Sequence, residues 1–209
     1  MIKKGAEADL YAEKWHGLNV ILKRRIRKKY RIPRLDLNIR RSRTVHESQL
    51  LHDAKLAGVP TPIIYAIDTS STTIVMQHIK GSRVKEAIEN LSPEDRKKLC
   101  LNIGELIGRL HKNGIIHGDL TTSNMIISNG RLFFIDFGLG AHSNETEDRG
   151  TDLFLMKRSL QGMHHRYADE CFDILMRGYA KEMGLKTAKE MLKKVEEISR
   201  RGRYIAERL

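Results

Sequence analysis

Three side chains between residues 117 and 138 have the types and spacing for phosphate chemistry: Asp119, Asn124 and Asp136. The first lies in His117-Gly118-Asp119-Leu120-Thr121-Thr122-Ser123-Asn124, and the third opens Asp136-Phe137-Gly138. Between them the apolar runs Met125–Ser128 and Arg131–Ile135 flank Asn129-Gly130, the strongest short hairpin signal. A hairpin there returns Asp136 to the neighbourhood of Asp119 and Asn124. Two hard oxygen ligands, on Asn124 and Asp136, suit Mg²⁺ with its phosphates, and the free carboxylate of Asp119 suits a base for an incoming hydroxyl.

The pattern H-x-D-L-x-x-x-N followed by D-F-G resembles the catalytic-loop and metal-loop pair of the protein-kinase fold. The elements needed to position it are legible upstream. Residues 2–23 read as two or three short strands, with a turn at Gly5-Ala6-Glu7-Ala8 where one glycine and two alanines let backbone approach phosphate. Val20-Ile21-Leu22-Lys23 matches the strand whose Lys binds α/β-phosphates. Helical spacing from Ser42 or Thr44 to about Ala57 has Val45, Leu50, Leu51, Ala54 and Leu56-Ala57 as its apolar side, stopped by Gly58 and Pro60. It carries Glu47, either as the partner of Lys23 or as the end of a capping box from Thr44. Residues 63–67 and 73–77 form a further strand pair, and 76–81, with Gln77 and Ile79, read as an extended hinge whose main chain meets an adenine.

The remainder is helical. Arg83–Asn90 is a short helix. Ser92-Pro93-Glu94 is a start signal, N-cap then Pro at N1, for a helix to about Lys112. After Gly138 no A-P-E follows; a polar stretch, 143–150, precedes helices expected from about Thr151 (Phe154, Leu155 and Leu160 in the core), over Tyr167–Met183, and over Thr187–Ser199. His164-His165 has no third ligand nearby and reads as core or solvated histidine.

Composition bounds the function. With 209 residues and 40% apolar content the chain can bury a core. A net charge of +12 and pI near 9.8 imply a polyanionic partner. Eleven of the cations fall in residues 23–43, where Asp36 is the only acid; phosphate contact and a solvated loop remain open there. Cys100 and Cys171 read as buried thiols of a reducing cytosol, and no run reaches membrane-spanning length or forms a signal peptide. A cytoplasmic protein without membrane contact is expected.

Assembled, these features resemble the small atypical protein-kinase family that supplies the kinase/ATPase subunit of the KEOPS complex. The likeness rests on the GAEA turn (5–8), the basic KKYRIPRLD (28–36), HGDL (117–120), the missing A-P-E and the Arg-Arg-Gly-Arg of 200–203. The resemblance implies an α+β, reduced bilobal kinase-like fold, with a small β-rich lobe carrying one main helix (1–79) and a minimal helical lobe (80–209). It implies ATP and Mg²⁺, ATPase support of threonylcarbamoyl-adenosine modification of tRNA, and weak Ser/Thr autokinase activity. By the same resemblance, Lys23 holds phosphates and Glu47 orients it. Asp119 is the base, Asn124 and Asp136 ligate the metal, and Ile2, Lys4, Gly5, Ala6, Glu7, Ala8, Gln77 and Ile79 contact the nucleotide. The implied partners are the threonylcarbamoyl-transferase subunit on the C-lobe and tail, a small subunit on the N-lobe, and tRNA along 23–43 and 200–208. Gly118 replaces the Arg that reads a phosphorylated activation loop, so activation by such a phosphate is not expected.

Three rivals remain. A RIO-like kinase shares the mechanism. A small-molecule phosphotransferase also uses HGDL…N, although an intact D-F-G leans away from it. A non-catalytic tRNA-binding scaffold would be expected to lack some of Lys23, Glu47, Asp119, Asn124 and Asp136, and all five are present.

Overall fold

Left-handed turns build the N-terminal sheet. His16 and Gly17, at φ 48° and 81°, match the strand twist of a tight hairpin and join β2 (Ala8–Trp15) to β3 (Leu18–Arg25). The computed structural model describes residues 3–206, with side chains from 4 to 201. Ile2 and the end of the basic tail, 207–208, fall outside that range. With β1 (Lys3–Lys4), β4 (Ile64–Asp68) and β5 (Thr73–Gln77), the sheet has the order β1-β2-β3-β5-β4, all antiparallel. Lys23 lies inside it, in register with Leu10 and Ile74.

The helix α1 spans Pro33–Leu56 and starts well before the expected Ser42 or Thr44. Pro33 supplies a preset φ at the first turn, and Asp36 a negative charge there. Hydrophobic spacing misses this start because the buried face of the first turns is polar: Asp36, Thr44, Glu47 and Ser48 precede Leu50, Leu51 and Ala54. Asp36 accepts from Lys28 N (3.1 Å) and Arg40 Nε (2.7 Å), which relieves the crowding of cations. The capping box is absent, since Thr44 Oγ1 donates to Arg40 O within a continuing helix. Val45 and Leu56, expected on the apolar side, are 47% and 74% exposed.

The second lobe is helical around one hairpin. After β6 (Ser82–Arg83) and a short helix α2 (Val84–Ala87), α3 runs Pro93–Lys112, its N-cap Ser92 accepting from Asp95 N. β7 (Ile115–Ile116) leads into the 117–124 loop, and β8 (Met125–Ser128) turns through Asn129 and Gly130 at φ 49° and 73° into β9 (Arg131–Phe134). β10 (Ala141–His142) pairs with β7. Then α4 (Thr146–Met163), α5 (Ala168–Met183) and α6 (Leu185–Ala206) complete the fold. The polar stretch 143–150 is therefore largely helix, with Glu147 and Asp148 favourably placed in its first turn. Leu153, Met156 and Leu160 are its buried large apolar residues, while Phe154 and Leu155 are partly exposed. Leu50, Leu51 and Ala54 of α1 join the same apolar cluster as α3, α5 and Phe137. Among the described residues no helix is long and apolar enough to cross a membrane.

The contact between α3 and α5 depends on glycine. A Cβ at Gly104 would overlap the Leu175 carbonyl, and one at Gly178 the Leu101 carbonyl. Gly104→Ala is expected to destabilise the fold by about 1–3 kcal/mol through overpacking. Gly162→Ala in α4, where a Cβ meets nothing within 4 Å, should be neutral or gain up to about 1 kcal/mol. Urea denaturation of both variants checks this; equal midpoints would refute the close approach.

Candidate active site

β3 and α1 place the first half of the site. Lys23 and Arg25 are two residues apart on one strand and so share a face, which is turned toward α1. Lys23 Nζ donates to Glu47 Oε1 at 2.6 Å and to Asp136 Oδ1 at 2.6 Å. Arg25 Nη2 donates to Glu47 Oε2 at 2.6 Å. Glu47 is 1% exposed, and the Lys23 and Arg25 side chains are 10% and 4% exposed. Burial alone would lower the Lys23 pKa, but the carboxylates of Glu47 and Asp136 together raise it above its ordinary value. The surroundings of Asp136 alone would raise its pKa, but Lys23 prevails and holds it below the usual carboxylate range. Removing one partner of a buried pair leaves an uncompensated charge, at about 3–5 kcal/mol.

The 117–138 segment supplies the second half. His117 is fully buried, and burial lowers its pKa, so it is neutral at pH 7. Its Nε2 donates to Ile135 O (3.1 Å) and its Nδ1 accepts from Asp119 N (3.3 Å). Asn124 Nδ2 donates to Asp119 O (2.9 Å) and to Asp119 Oδ2 (2.8 Å). The side-chain Oδ1 of Asn124 and Asp119 Oδ1 are thereby left for other partners. Beyond the hairpin, Ile135 N donates to Asn124 O (3.0 Å), which sets Asp136 beside Asn124. Asp136 itself sits at φ 63°, a strained conformation for a residue with a side chain. Gly118, at φ 79°, has a steric reason to be glycine: a Cβ there would overlap the Leu139 carbonyl.

Two adjoining cavities share Leu10, Lys23 and Asp136. One, about 190 Å³, is lined by Ile21, Met76, Gln77, Ile79 and Asn124 among others; the second, about 300 Å³, by Gly5, Ala6, Glu7, Ala8, Arg25, Arg43 and Asp119. The first is apolar on the sheet side, and the second sets the cations Lys23, Arg25 and Arg43 beside the carboxylates Glu7, Asp119 and Asp136, a lining suited to phosphates with a bound cation. Among the described residues no group of three His, Cys, Asp or Glu could hold a metal. One amide oxygen and one carboxylate fit Mg²⁺, which keeps waters and phosphates in its shell. Lys4 is exposed, lines neither cavity and is not brought into the site. The turn at 5–8 is tied down: Glu7 meets Arg43 at 2.9 Å, and Lys28 Nζ donates to Ala6 O. His164 is a core histidine, bonded to Thr122 and Glu89 beneath the loop. Arg201, in the basic tail, is already paired with Glu147 at 2.6 Å.

Two residues that belong to the site were not singled out from sequence. Arg25 was one cation among eleven, although its i+2 spacing from Lys23 was a usable signal. Asp152 of α4, 1% exposed, accepts from His117 N (2.7 Å) and Gly118 N (2.8 Å) and meets His111 Nε2 at 3.4 Å. It fixes the backbone from which Asp119 projects, and it falls at the start of a helix expected from about Thr151, just after a polar stretch.

A profile of the protein kinase domain family matches residues 12–174. The chain is 42% identical to the KEOPS complex subunit Bud32 of Pyrococcus abyssi, across 98% of this chain and 96% of that one. It is 45% identical to a probable bifunctional tRNA threonylcarbamoyladenosine biosynthesis protein of Methanothermobacter thermautotrophicus, of which it spans only 36%. The Rio2 kinase of Chaetomium thermophilum, solved as an ADP/Mg²⁺-phosphoaspartate complex, superposes with TM-score 0.63 at 20% identity, over 94% of this chain and 69% of that one. That likeness concerns fold alone.

Asp152→Asn offers one acceptor oxygen where two amide N–H groups now bind. It is expected to lower stability by about 1–3 kcal/mol and to cut nucleotide turnover far more than nucleotide affinity, since the cavities are lined elsewhere. Thermal melting with paired turnover and binding titrations checks this. Unchanged turnover would show that the loop needs no such anchor.

Proposed function

The chain belongs to the protein kinase domain family and, within it, to the family of the KEOPS subunit Bud32; from that premise we propose an ATP–Mg²⁺-dependent phosphotransferase and ATPase that supports threonylcarbamoyladenosine modification of tRNA. The observation that carries the reading is Lys23 Nζ held between Glu47 and Asp136 at 2.6 Å each, in the same cleft as Asp119 and Asn124. A scaffold has no need of a buried charge cluster of this kind.

The roles follow from the chemistry. Lys23 binds the α/β-phosphates and Glu47 orients it. Asn124, through its free side-chain oxygen, and Asp136 hold Mg²⁺, which when bound neutralises phosphate charge. Asp119 Oδ1 accepts the proton of the attacking hydroxyl or water, while Asn124 holds its other oxygen. Gln77 and Ile79 meet the adenine through the hinge, and the 5–8 turn covers the phosphates. Transfer of this type needs positioning and charge neutralisation more than covalent chemistry. The same residues serve hydrolysis and Ser/Thr autophosphorylation.

Partners follow the charge and the relatives. Arg24, Arg27, Lys29, Arg34 and Arg41 are exposed and make no ion pair among the described residues, which supports tRNA contact along 23–43, with 200–208 contributing from the other lobe. The relatives named bifunctional carry much more chain than the part matched here. That supports docking on a second activity, the threonylcarbamoyl-transferase subunit at the C-lobe and tail, with a small subunit on the N-lobe. The reading places the protein in the cytoplasm. The lobes divide at residues 79–80, a boundary supported by the pairing of Ser82 with Ile127 of the second lobe.

ATP turnover with and without the transferase subunit and tRNA, for wild type and Asp136→Ala, tests the proposal. Partner or tRNA should stimulate phosphate release, and Asp136→Ala or chelation of Mg²⁺ should reduce it by about 10²-fold or more, the scale of losing one preorganised charge contact. Turnover indifferent to both partners, with efficient phosphorylation of a protein hydroxyl, would make this a working Ser/Thr kinase instead.

A further inference from the structure

Glu47 has two oxygens, and Lys23 uses only one of them. The other accepts from Arg25 Nη2 at 2.6 Å, and the same nitrogen donates to Arg43 O at 3.2 Å, one turn earlier in α1. Arg25 therefore grips α1 at two successive turns from the end of β3. Its own backbone is fixed there, with Arg25 N donating to Thr72 O. At 5% exposure it is as buried as Lys23, and its Nε has no hydrogen-bond partner among the described residues. The guanidinium also forms part of the wall of the 300 Å³ cavity, beside Gly138.

The arrangement answers a charge problem. Lys23 is shared between Glu47 and Asp136, and binding phosphates draws its ammonium toward a third set of oxygens. If Lys23 were the sole partner of Glu47, each such movement would leave a buried carboxylate short of positive charge. A guanidinium with fixed fork geometry keeps Glu47 compensated throughout. Position of this helix is also what an activation-segment phosphate controls in regulated kinases, and here the grip comes from inside the sheet.

We infer that Arg25 is a positioning residue for phosphoryl transfer: it holds Glu47 and α1 in register while Lys23 moves between Asp136 and the phosphates of the nucleotide. The inference rests on the ATP reading above. The test is steady-state ATP turnover, with melting curves, for wild type, Arg25→Lys, Arg25→Met, Glu47→Gln and the double variant Arg25→Met/Glu47→Gln. Arg25→Met should lose about 10-fold or more in kcat with KM changed less than about threefold, the pattern of an interaction that matters after binding. Arg25→Lys should recover part of that loss. The double variant should be no slower than Glu47→Gln alone, because Arg25 acts through Glu47. Turnover of Arg25→Met within twofold of wild type, or losses that multiply in the double variant, would overturn the inference. Should Arg25→Met fail to fold, Arg25→Lys decides: wild-type kcat refutes the need for the fork, and an intermediate kcat at a wild-type melting temperature supports it. A wild type that neither binds nor hydrolyses ATP would instead overturn the ATP reading itself.

Discussion

The structure depends on one electrostatic constraint: charges taken out of water must find each other. Lys23, Arg25, Glu47 and Asp136 come from β3, α1 and the segment after the hairpin, and together they carry no net charge. Lys23, Arg25 and Glu47 would each be costly alone at this depth, while Asp136 meets Lys23 from a half-exposed position. Their mutual satisfaction fixes how the N-terminal sheet, the long helix and the second lobe meet. The hydrophobic core is continuous across the same junction, with Leu50, Leu51 and Ala54 beside Phe137. Apolar contact supplies the attraction, and the ionic cluster supplies the register.

A second buried acid does the equivalent work from below. Asp152 receives two consecutive backbone N–H groups of the 117–118 segment, and His117 then holds Asp119 N and Ile135 O. Asp119 and the approach to Asp136 are therefore oriented through one imidazole. Gly118 is part of this device, because only a residue without Cβ fits beneath the Leu139 carbonyl at positive φ. The departure from the usual Arg at this position has a packing cause.

Much of this was legible in the sequence where local rules decide the outcome. The Asn129-Gly130 hairpin, the Ser92-Pro93 helix start and the pairing of Lys23 with Glu47 all follow from turn chemistry, capping and motif spacing. The start of α1 was not legible, because the helix buries Asp36, Thr44 and Glu47 in place of aliphatic residues. The start of α4 was hidden in the same way by a polar first turn. Arg25, Asp152 and the glycines between α3 and α5 act on partners far along the chain, so nothing near them in sequence announces the contact.

The large positive charge also resolves once burial is known. Within residues 23–43 the inward cations each have an anion: Lys23 and Arg25 share Glu47, while Arg40 and Arg31 meet Asp36. The outward ones, Arg24, Arg27, Lys29, Arg34 and Arg41, have none among the described residues. One segment thus sorts into a neutral interior that lines the cleft and a positively charged exterior. Between the two stand Lys28 and Arg43, which touch the 5–8 turn through Ala6 and Glu7. Exposed pairs of that kind are worth little individually, on the order of 0–1 kcal/mol, and are easily screened. The side-chain ties of the 5–8 turn are therefore weak enough to exchange, while backbone bonds from Gly5 N to Ala8 O and from Ile26 N to Glu7 O hold its frame.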